Sequence, residues 1–105
     1  MKCEACSGST PSLGSGEISQ LQTELDTDWN VVNETQLRRE WKTKNFNTAF
    51  SRATSIALLA EQEGHHPDLE VGWGRLVCVL TTHAISGLSK NDFIMAAKID
   101  RLEAS

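Results

Sequence analysis

The second half of the chain holds a group of side chains that could transfer protons. Histidine exchanges a proton near neutral pH, because its unperturbed pKa is about 6.5. All three histidines of this 105-residue sequence lie here, together with carboxylates, a proline and a tryptophan. The group comprises Glu61, His65, His66, Pro67, Trp73, His83 and Asp92. This combination predicts acid–base chemistry on a small, flat substrate.

Gly64 and Pro67 should determine how the two adjacent histidines are presented. Glycine readily adopts positive φ and so ends a helix, whereas proline forces the preceding residue out of the helical region. His65 and His66 are therefore predicted to leave the carboxyl end of a helix in two fixed directions. Partial negative charge from the last helix carbonyls favours imidazolium there, which suits a proton donor. A pair of exposed loop histidines is the alternative, and a metal site is disfavoured because no third ligand lies nearby in sequence.

The remaining side chains of the group each have a second interpretation. Glu61 precedes His65 by four residues, so its carboxylate could orient that imidazole or could simply be a solvated helix charge. His83 ends a predicted strand. Alone, a histidine there is more often a structural residue of the strand end than a functional one. Trp73 could form a stacking wall for a ring or belong to the core. Asp92 is fully explained by a helix cap, so no single member identifies a function.

Composition restricts the class of protein. One domain is expected from the length, and the net charge of −4 gives no basic surface for nucleic acid or an anionic membrane. No apolar stretch approaches the ~20 residues that cross a bilayer, and no secretory leader opens the chain. A cytoplasmic location is expected. No cofactor is predicted.

The cysteines do not form a disulfide framework, because there are three of them without regular spacing. Cys3 and Cys6 make half of a zinc knuckle, and a structural metal there is disfavoured because zinc sites normally have four ligands. Cys78 alternates with apolar residues and is predicted to be a small core side chain. Residues 1–16 are predicted to be a flexible leader, since residues 7–16 read SGSTPSLGSG. Residues 17–105 form the predicted domain.

The hydrophobic spacing predicts a helix, two strands, a helix, two strands and a final helix. A short helix is predicted around residues 18–25, followed by strands over 29–32 and 37–43. A long helix should begin at residue 46, capped by Asn45 or Asn47, and end at Gly64. Strands follow at 71–73 and 76–82, either as a pair or as one bent strand. The last helix should run from 90 to 102 behind a capping box of Ser89 and Asp92.

Short turns between these strands predict an antiparallel sheet. The fold class is therefore α+β: a four-stranded antiparallel sheet with three helices packed on one face. The order of elements is α-β-β-α-β-β-α.

The complete spacing of the polar group resembles that of the pterin-4a-carbinolamine dehydratases. The pattern is Glu-x-x-x-His-His-Pro, an aromatic six residues after the proline, a later histidine and then an aspartate. The resemblance runs from about residue 17 to 102 and is far more specific than any of its pieces. Matching flanking segments are Asp28-Trp29, Phe46-Asn47-x-Ala49-Phe50, Thr82-His83 and Gly87-Leu88-Ser89-x-x-Asp92. One departure is Gly64, where some members carry aspartate.

The resemblance implies dehydration of 4a-hydroxytetrahydropterin to quinonoid dihydropterin, which recycles the pterin cofactor of aromatic amino acid hydroxylases. By analogy, His65 and His83 are the acid–base pair and His66 orients the pterin. Glu61 would stand behind the histidines, and Trp73 would line the ring. Asp92 would cap the last helix and fix His83 or the substrate.

The resemblance also implies partners and a second kind of function. Family members form dimers or tetramers through a sheet edge and the long helix, and the alanine-rich face of residues 49–60 would permit close helix approach. An aromatic amino acid hydroxylase is a further implied partner. Some members act as dimerisation cofactors of a homeodomain transcription factor, and related chains assist assembly of a carbon-fixing enzyme. A non-catalytic binding module is therefore the alternative, although the complete histidine set favours the enzyme.

Overall fold

The computed structural model of the chain describes residues 11–104, and its order of elements is the predicted one. The elements are α1 (Ser15–Gln22), β1 (Asn30–Val32), β2 (Gln36–Lys42), α2 (Phe46–Glu63), β3 (Asp68–Gly72), β4 (Arg75–Leu80), a 3₁₀ turn (His83–Ile85) and α3 (Lys90–Ala104). All strand pairs are antiparallel, in the spatial order β1-β2-β4-β3. The predicted α+β class is confirmed. Cys3 and Cys6, with the half zinc knuckle, lie outside the described residues.

Helix α2 begins and ends as the local sequence predicts. Of the two candidate caps, Asn45 serves, because its Oδ1 accepts a hydrogen bond of 2.8 Å from the Thr48 backbone N–H. At the other end Gly64 adopts a left-handed conformation with φ 68°, and its N–H donates to the Ala60 carbonyl at 2.9 Å. A side chain with a Cβ disfavours that conformation, which explains the glycine here. The chain therefore turns sharply just before His65.

Helix α1 begins earlier than the sequence pattern predicts. Ser15 and Gly16 form its first turn, although both fall in the stretch expected to be a leader. Leu13 also contacts the domain, because its N–H donates to the Leu88 carbonyl at 2.9 Å and its side chain packs against the core. The serine- and glycine-rich composition of this segment did not predict that Leu13 would pack against the core.

Strands β3 and β4 form a tight hairpin, which decides between the paired and bent-strand interpretations. Val71 pairs with Leu76 and Gly72 with Arg75, so Trp73 and Gly74 make the two-residue turn. Trp73 therefore lies in a turn rather than in a strand. The N–H of Thr43 donates to the Gly74 carbonyl at 2.9 Å, which ties this hairpin to the end of β2.

The hydrophobic core lies on one face of the sheet. Helix α2 packs against β3 and β4, and α3 packs against α2 and β4. Buried side chains come from alternate positions of the central strands and from one face of each long helix. They include Leu37, Trp41, Leu76, Cys78, Leu80, Ala49, Ala53, Ile56, Ala60, Met95, Ala96 and Ile99.

The alanine-rich face of α2 is covered mostly by its own chain. Ala49, Ala53 and Ala60 are buried in the core, whereas Ala57 is exposed. The small size of the buried alanines lets α2 approach the sheet and α3 closely. The close helix approach expected from these alanines therefore occurs within the chain, and contact between chains stays a prediction. No helix among residues 11–104 is both long and apolar enough to span a membrane.

One charged side chain lies on the core face of β2. The Arg39 side chain is 5% exposed, and its guanidinium donates to Asp100 Oδ1 at 2.8 Å. The same carboxylate accepts from the Trp29 indole N–H at 2.8 Å and from the Asp26 backbone N–H at 2.9 Å. The guanidinium also lies 4.7 Å from the Trp41 ring centroid. A buried charge requires such partners, and these connect β2, α3 and the segment before β1.

Cys78 should be unreactive toward thiol reagents in the folded protein. It is fully buried on β4, and burial, with a smaller contribution from the Asp68 carboxylate, raises the pKa of its thiol to about 12, against an opposing effect of Arg39. The thiolate is the reactive form, so little of it exists at pH 8. Peptide mapping after iodoacetamide treatment should find Cys78 modified only when the protein is first denatured. Rapid labelling of the native protein at Cys78 would contradict this burial.

Candidate active site

The register of the sheet brings two histidine-bearing segments to the same end of the strands. One segment follows α2 and carries His65 and His66, and the other follows β4 and carries His83. Asp68 at the start of β3 pairs with Val79 near the end of β4. The segment leaving α2 and the segment leaving β4 therefore lie beside one another. The first turn of α3 also lies here, since Asp92 is bonded to both segments.

His65 points inward and is bound to Asp92. The His65 side chain is 7% exposed, Asp92 is fully buried, and His65 Nε2 lies 2.6 Å from Asp92 Oδ1. The sequence predicted that Asp92 fixes His83 or the substrate, but its histidine partner is His65. This pairing follows from the left-handed turn at Gly64, which directs the next residue toward α3.

The second oxygen of the Asp92 carboxylate is held by two donors. The Thr82 hydroxyl donates to Oδ2 at 2.8 Å, and the Ser89 backbone N–H donates to the same atom at 3.0 Å. The second contact is the carboxylate half of the predicted capping box. Because Oδ2 already accepts two hydrogen bonds, we infer that Oδ1 also acts as an acceptor, so that His65 carries its proton on Nε2.

Neither Thr82 nor Ser89 was predicted from the sequence as a site residue, and Ser89 was predicted only as part of the helix cap. Their hydroxyl oxygens lie 2.8 Å apart, and both residues are buried. The available signal was modest: a threonine directly before a candidate histidine, and a serine three residues before a candidate aspartate. The bonds from the Thr82 hydroxyl to Asp92 and to the Ser89 hydroxyl depend on the packing of α3 against β4, which spacing alone does not reveal.

Glu61 is bonded to His66 rather than to His65. Glu61 Oε1 lies 3.0 Å from His66 Nε2, and the two side chains are 76% and 60% exposed. The predicted i, i+4 contact assumed that the helix continues to His65. Because α2 ends at Glu63, His65 turns inward and His66 projects outward. An exposed pair of this kind adds little stability, so the two groups remain available to a ligand.

His83 is exposed at the start of the 3₁₀ turn. The loop that carries it is closed at its base by Thr82 and Gly87, whose backbones exchange hydrogen bonds of 2.9 and 3.4 Å. Ser86 adopts φ 49° within this loop. The backbone position of His83 is thereby restrained, while its imidazole is accessible to solvent.

Trp73 lies away from this end of the strands in its own chain. Pro67 precedes β3 and Trp73 follows it, so the five-residue strand separates them by about 17 Å. Trp73 is 71% exposed and shares a surface groove with Glu40, Lys42 and Arg75. That Trp73 lines the pterin ring stays a prediction, and within its own chain the residue lies at the other end of β3 from Pro67. Pro67 is half-buried at the beginning of β3.

The arrangement supplies two kinds of imidazole. His65 is buried and oriented by the Asp92 carboxylate. His66, the next residue, is exposed, and so is His83, which follows the Thr82 that bonds the same carboxylate. Imidazoles placed in this way can act as general acids and bases. Within residues 11–104, no three His, Cys, Asp or Glu side chains are arranged to hold a metal ion.

Comparisons with known proteins show which family the sequence matches. The family model described as Pterin 4 alpha carbinolamine dehydratase matches residues 11–102. A relative from Alkaliphilus metalliredigens, provisionally named as a pterin-4-alpha-carbinolamine dehydratase, is 47% identical over 103 residues, covering 98% of this chain and 93% of that protein. A relative from Rickettsia bellii with the same provisional name is 46% identical over 103 residues, covering 97% and 90%.

A solved structure shares the fold. It is a crystal structure of a protein from Brucella melitensis, described as a transcriptional coactivator/pterin dehydratase. The TM-score is 0.79 and the sequence identity 31%, with coverage of 88% of this chain and 98% of that one. The family match spans every candidate site residue from Glu61 to Asp92. The chain belongs to the pterin-4a-carbinolamine dehydratase family.

Proposed function

We propose that this chain dehydrates 4a-hydroxytetrahydropterin to quinonoid dihydropterin, and so recycles the pterin cofactor of an aromatic amino acid hydroxylase. Family membership supports the reaction class. The observation that carries the assignment to these residues is the Asp92 carboxylate, which binds His65 with one oxygen and Thr82, next to His83, with the other. This buried group joins the two segments that hold the candidate acid and base.

The reaction requires two proton transfers. One proton goes to the 4a-hydroxyl, which leaves as water when its bond to C4a breaks. Another is removed from N5, whose lone pair forms the new double bond to C4a. Positioned acid–base groups typically accelerate such steps by about 10²–10⁴-fold. No change of oxidation state accompanies the loss of water.

The geometry supports different roles for the three histidines. Asp92 holds the His65 imidazole through Nε2, and His65 would exchange a proton with the substrate from this fixed orientation. His83 is accessible and would serve as the second acid–base group. His66, with Glu61 beside it, would bind and orient the polar edge of the pterin.

The purified chain should therefore accelerate loss of freshly generated carbinolamine. Stopped-flow absorbance would follow the reaction, with the rate in the same buffer without protein as reference. We expect saturable acceleration proportional to protein concentration. A rate equal to that of the buffer, from protein with native circular dichroism, would refute the proposed activity.

A non-catalytic function is the second candidate, because the related Brucella protein is described as a coactivator as well as a dehydratase. A pure binding module has no need for an imidazole held by a buried carboxylate. Replacement of His83, which is exposed, would separate the candidates. Loss of dehydration in this variant with unchanged partner binding would favour the enzyme. A wild-type rate equal to that of the buffer, with partner binding present, would favour the module.

We also propose that the chain self-associates through exposed aromatic residues of α2. Phe46 and Phe50 stack with ring centroids 6.1 Å apart and are 48% and 55% exposed. Exposed apolar clusters of this kind commonly mark interfaces. Phe50→Glu should lower the mass measured by size-exclusion chromatography with light scattering. Ser55→Glu, on another face of α2, is the matched control, and an unchanged mass in Phe50→Glu would contradict this surface.

A further inference from the structure

Thr82 connects the candidate acid–base groups through its side chain. Its hydroxyl is buried, 2.8 Å from Asp92 Oδ2 and 2.8 Å from the Ser89 hydroxyl. Its backbone closes the loop that carries His83, through the hydrogen bonds with Gly87. One residue thus contacts the carboxylate that holds His65 and anchors the segment that presents His83.

The direction of these hydrogen bonds can be assigned. A hydroxyl has one proton to donate, and the Thr82 proton is directed to the Asp92 carboxylate. The Ser89 hydroxyl must therefore donate to the Thr82 oxygen. Buried chains of this kind polarise successive bonds in one direction. Here each bond directs its proton toward Asp92, and His65 donates to the other oxygen of the same group.

We propose that Thr82 and Ser89 are positioning residues of the site. Their hydroxyl chain fixes the plane of the Asp92 carboxylate, so that Oδ1 faces His65 and keeps the imidazole proton on Nε2. It also sets the position of His83 relative to His65. The part of this proposal that concerns reaction rate rests on the proposed function, whereas the part that concerns the His65 proton does not.

If Thr82 and Ser89 served only to cap α3, neither of their hydroxyls would be needed. The Ser89 backbone N–H already supplies the cap bond to Asp92 at 3.0 Å. The buried Thr82 hydroxyl adds a second bond to the same carboxylate, and the buried Ser89 hydroxyl in turn bonds the Thr82 hydroxyl. Side-chain partners one step removed from reacting groups typically change activity by about 10–100-fold when they are lost, because they orient the groups that react.

Thr82→Val removes the hydroxyl while keeping the size of the side chain, and Thr82→Ser restores the hydroxyl. Ser89→Ala removes the preceding donor but leaves the backbone cap. Thr81→Val is the matched control, because the Thr81 hydroxyl donates to the Thr35 carbonyl at 2.6 Å and to the Gly87 carbonyl at 3.3 Å rather than to Asp92. It therefore loses a bond to the same loop without changing the carboxylate. The protein would be labelled with ¹⁵N-histidine, and the His65 ring-nitrogen shifts would be read at alkaline pH alongside kcat and KM.

We expect wild type, Thr82→Ser and Thr81→Val to show a single His65 form with the proton on Nε2. In Thr82→Val, the shifts of both His65 ring nitrogens should move toward those of a mixture of the two exchanging tautomers. Ser89→Ala should cause a smaller change of these shifts in the same direction. Thr82→Val should also lower kcat by about 10–100-fold, with KM within about twofold of wild type. A mere loss of packing would not be rescued by serine.

Two results would overturn the positioning role. The first is an unchanged Nε2-protonated His65 in Thr82→Val; if that variant fails to fold, the same result in Ser89→Ala decides. The second is a kcat in Thr82→Val equal to that of wild type. If wild type itself lacks dehydratase activity, the proposed function fails, and the ring-nitrogen shifts alone still decide the positioning of His65.

Discussion

Replacement of His65 by alanine should slow dehydration by at least about 10²-fold, as expected when a positioned acid–base group is lost. His83→Ala should produce a loss of the same order, because both groups are needed when one proton is delivered and another removed. The measurement is kcat/KM from stopped-flow loss of carbinolamine absorbance. The two variants together should not be much worse than either one, since the transfers belong to one reaction.

The control for these variants must separate chemistry from folding. His65→Ala leaves Asp92 buried without its histidine, so near-ultraviolet circular dichroism should establish that the Trp29–Trp41 pair, 6.2 Å apart, remains packed. Gln62→Ala changes an exposed residue in the last turn of α2 and should retain the wild-type rate. Wild-type rates in both histidine variants would contradict the assignment of the acid–base pair.

Asp100→Ala should destabilise the fold by about 3–5 kcal/mol, the usual cost of leaving a buried charge without its partner. Asp100 accepts from Arg39, the Trp29 indole and the Asp26 backbone, all within 2.9 Å. Its removal leaves the Arg39 guanidinium, whose side chain is 5% exposed, with the more distant Asp26 and Asp28 carboxylates at 3.8 and 3.7 Å. Urea unfolding followed by tryptophan fluorescence would measure the change.

A surface ion pair on the same strand provides the comparison. Arg38 and Glu40 lie 3.3 Å apart with 39% and 36% exposure of their side chains. Exposed pairs contribute about 0–1 kcal/mol, so Glu40→Ala should change the free energy of unfolding only slightly. Equal effects of Asp100→Ala and Glu40→Ala would show that the buried network contributes no more than a surface contact.

Local sequence signals predicted the elements well where one residue type has a specific conformational effect. Gly64 ends α2 because it tolerates positive φ, and Asn45 begins it because its side chain accepts from a free backbone N–H. Alternation in β2 identified its buried face, which carries Leu37, Arg39 and Trp41. These effects act within a few residues, so they can be read without knowledge of the tertiary packing.

Interactions that depend on the packing of distant elements were predicted less well. Glu61 was assigned to His65 from helix geometry, but the turn at Gly64 gives it to His66. Asp92 could be recognised as a cap, whereas its bond to His65 spans 27 residues and requires α3 to lie beside the end of α2. The buried Arg39–Asp100 pair spans 61 residues, and no spacing rule relates them.

The sequence also did not show which part of the protein covers each apolar surface. Small alanines on α2 suggested contact between chains, but the same small size serves close packing within the core. Trp73 matched the spacing of the family pattern, yet the hairpin register puts it at the far end of β3. Periodicity identifies a face of a helix or strand, and it does not identify what covers that face.

The proposed function requires that imidazoles from the segment after α2 and from the segment after β4 contact the same bound pterin. Titration of ¹⁵N-histidine-labelled protein with 7,8-dihydropterin, a stable analogue of the product ring, tests this directly. Ring signals of His65, His66 and His83 should all shift along one saturation curve with a single dissociation constant. Signals that stay unchanged, or that respond at separate ligand concentrations, would contradict a shared site.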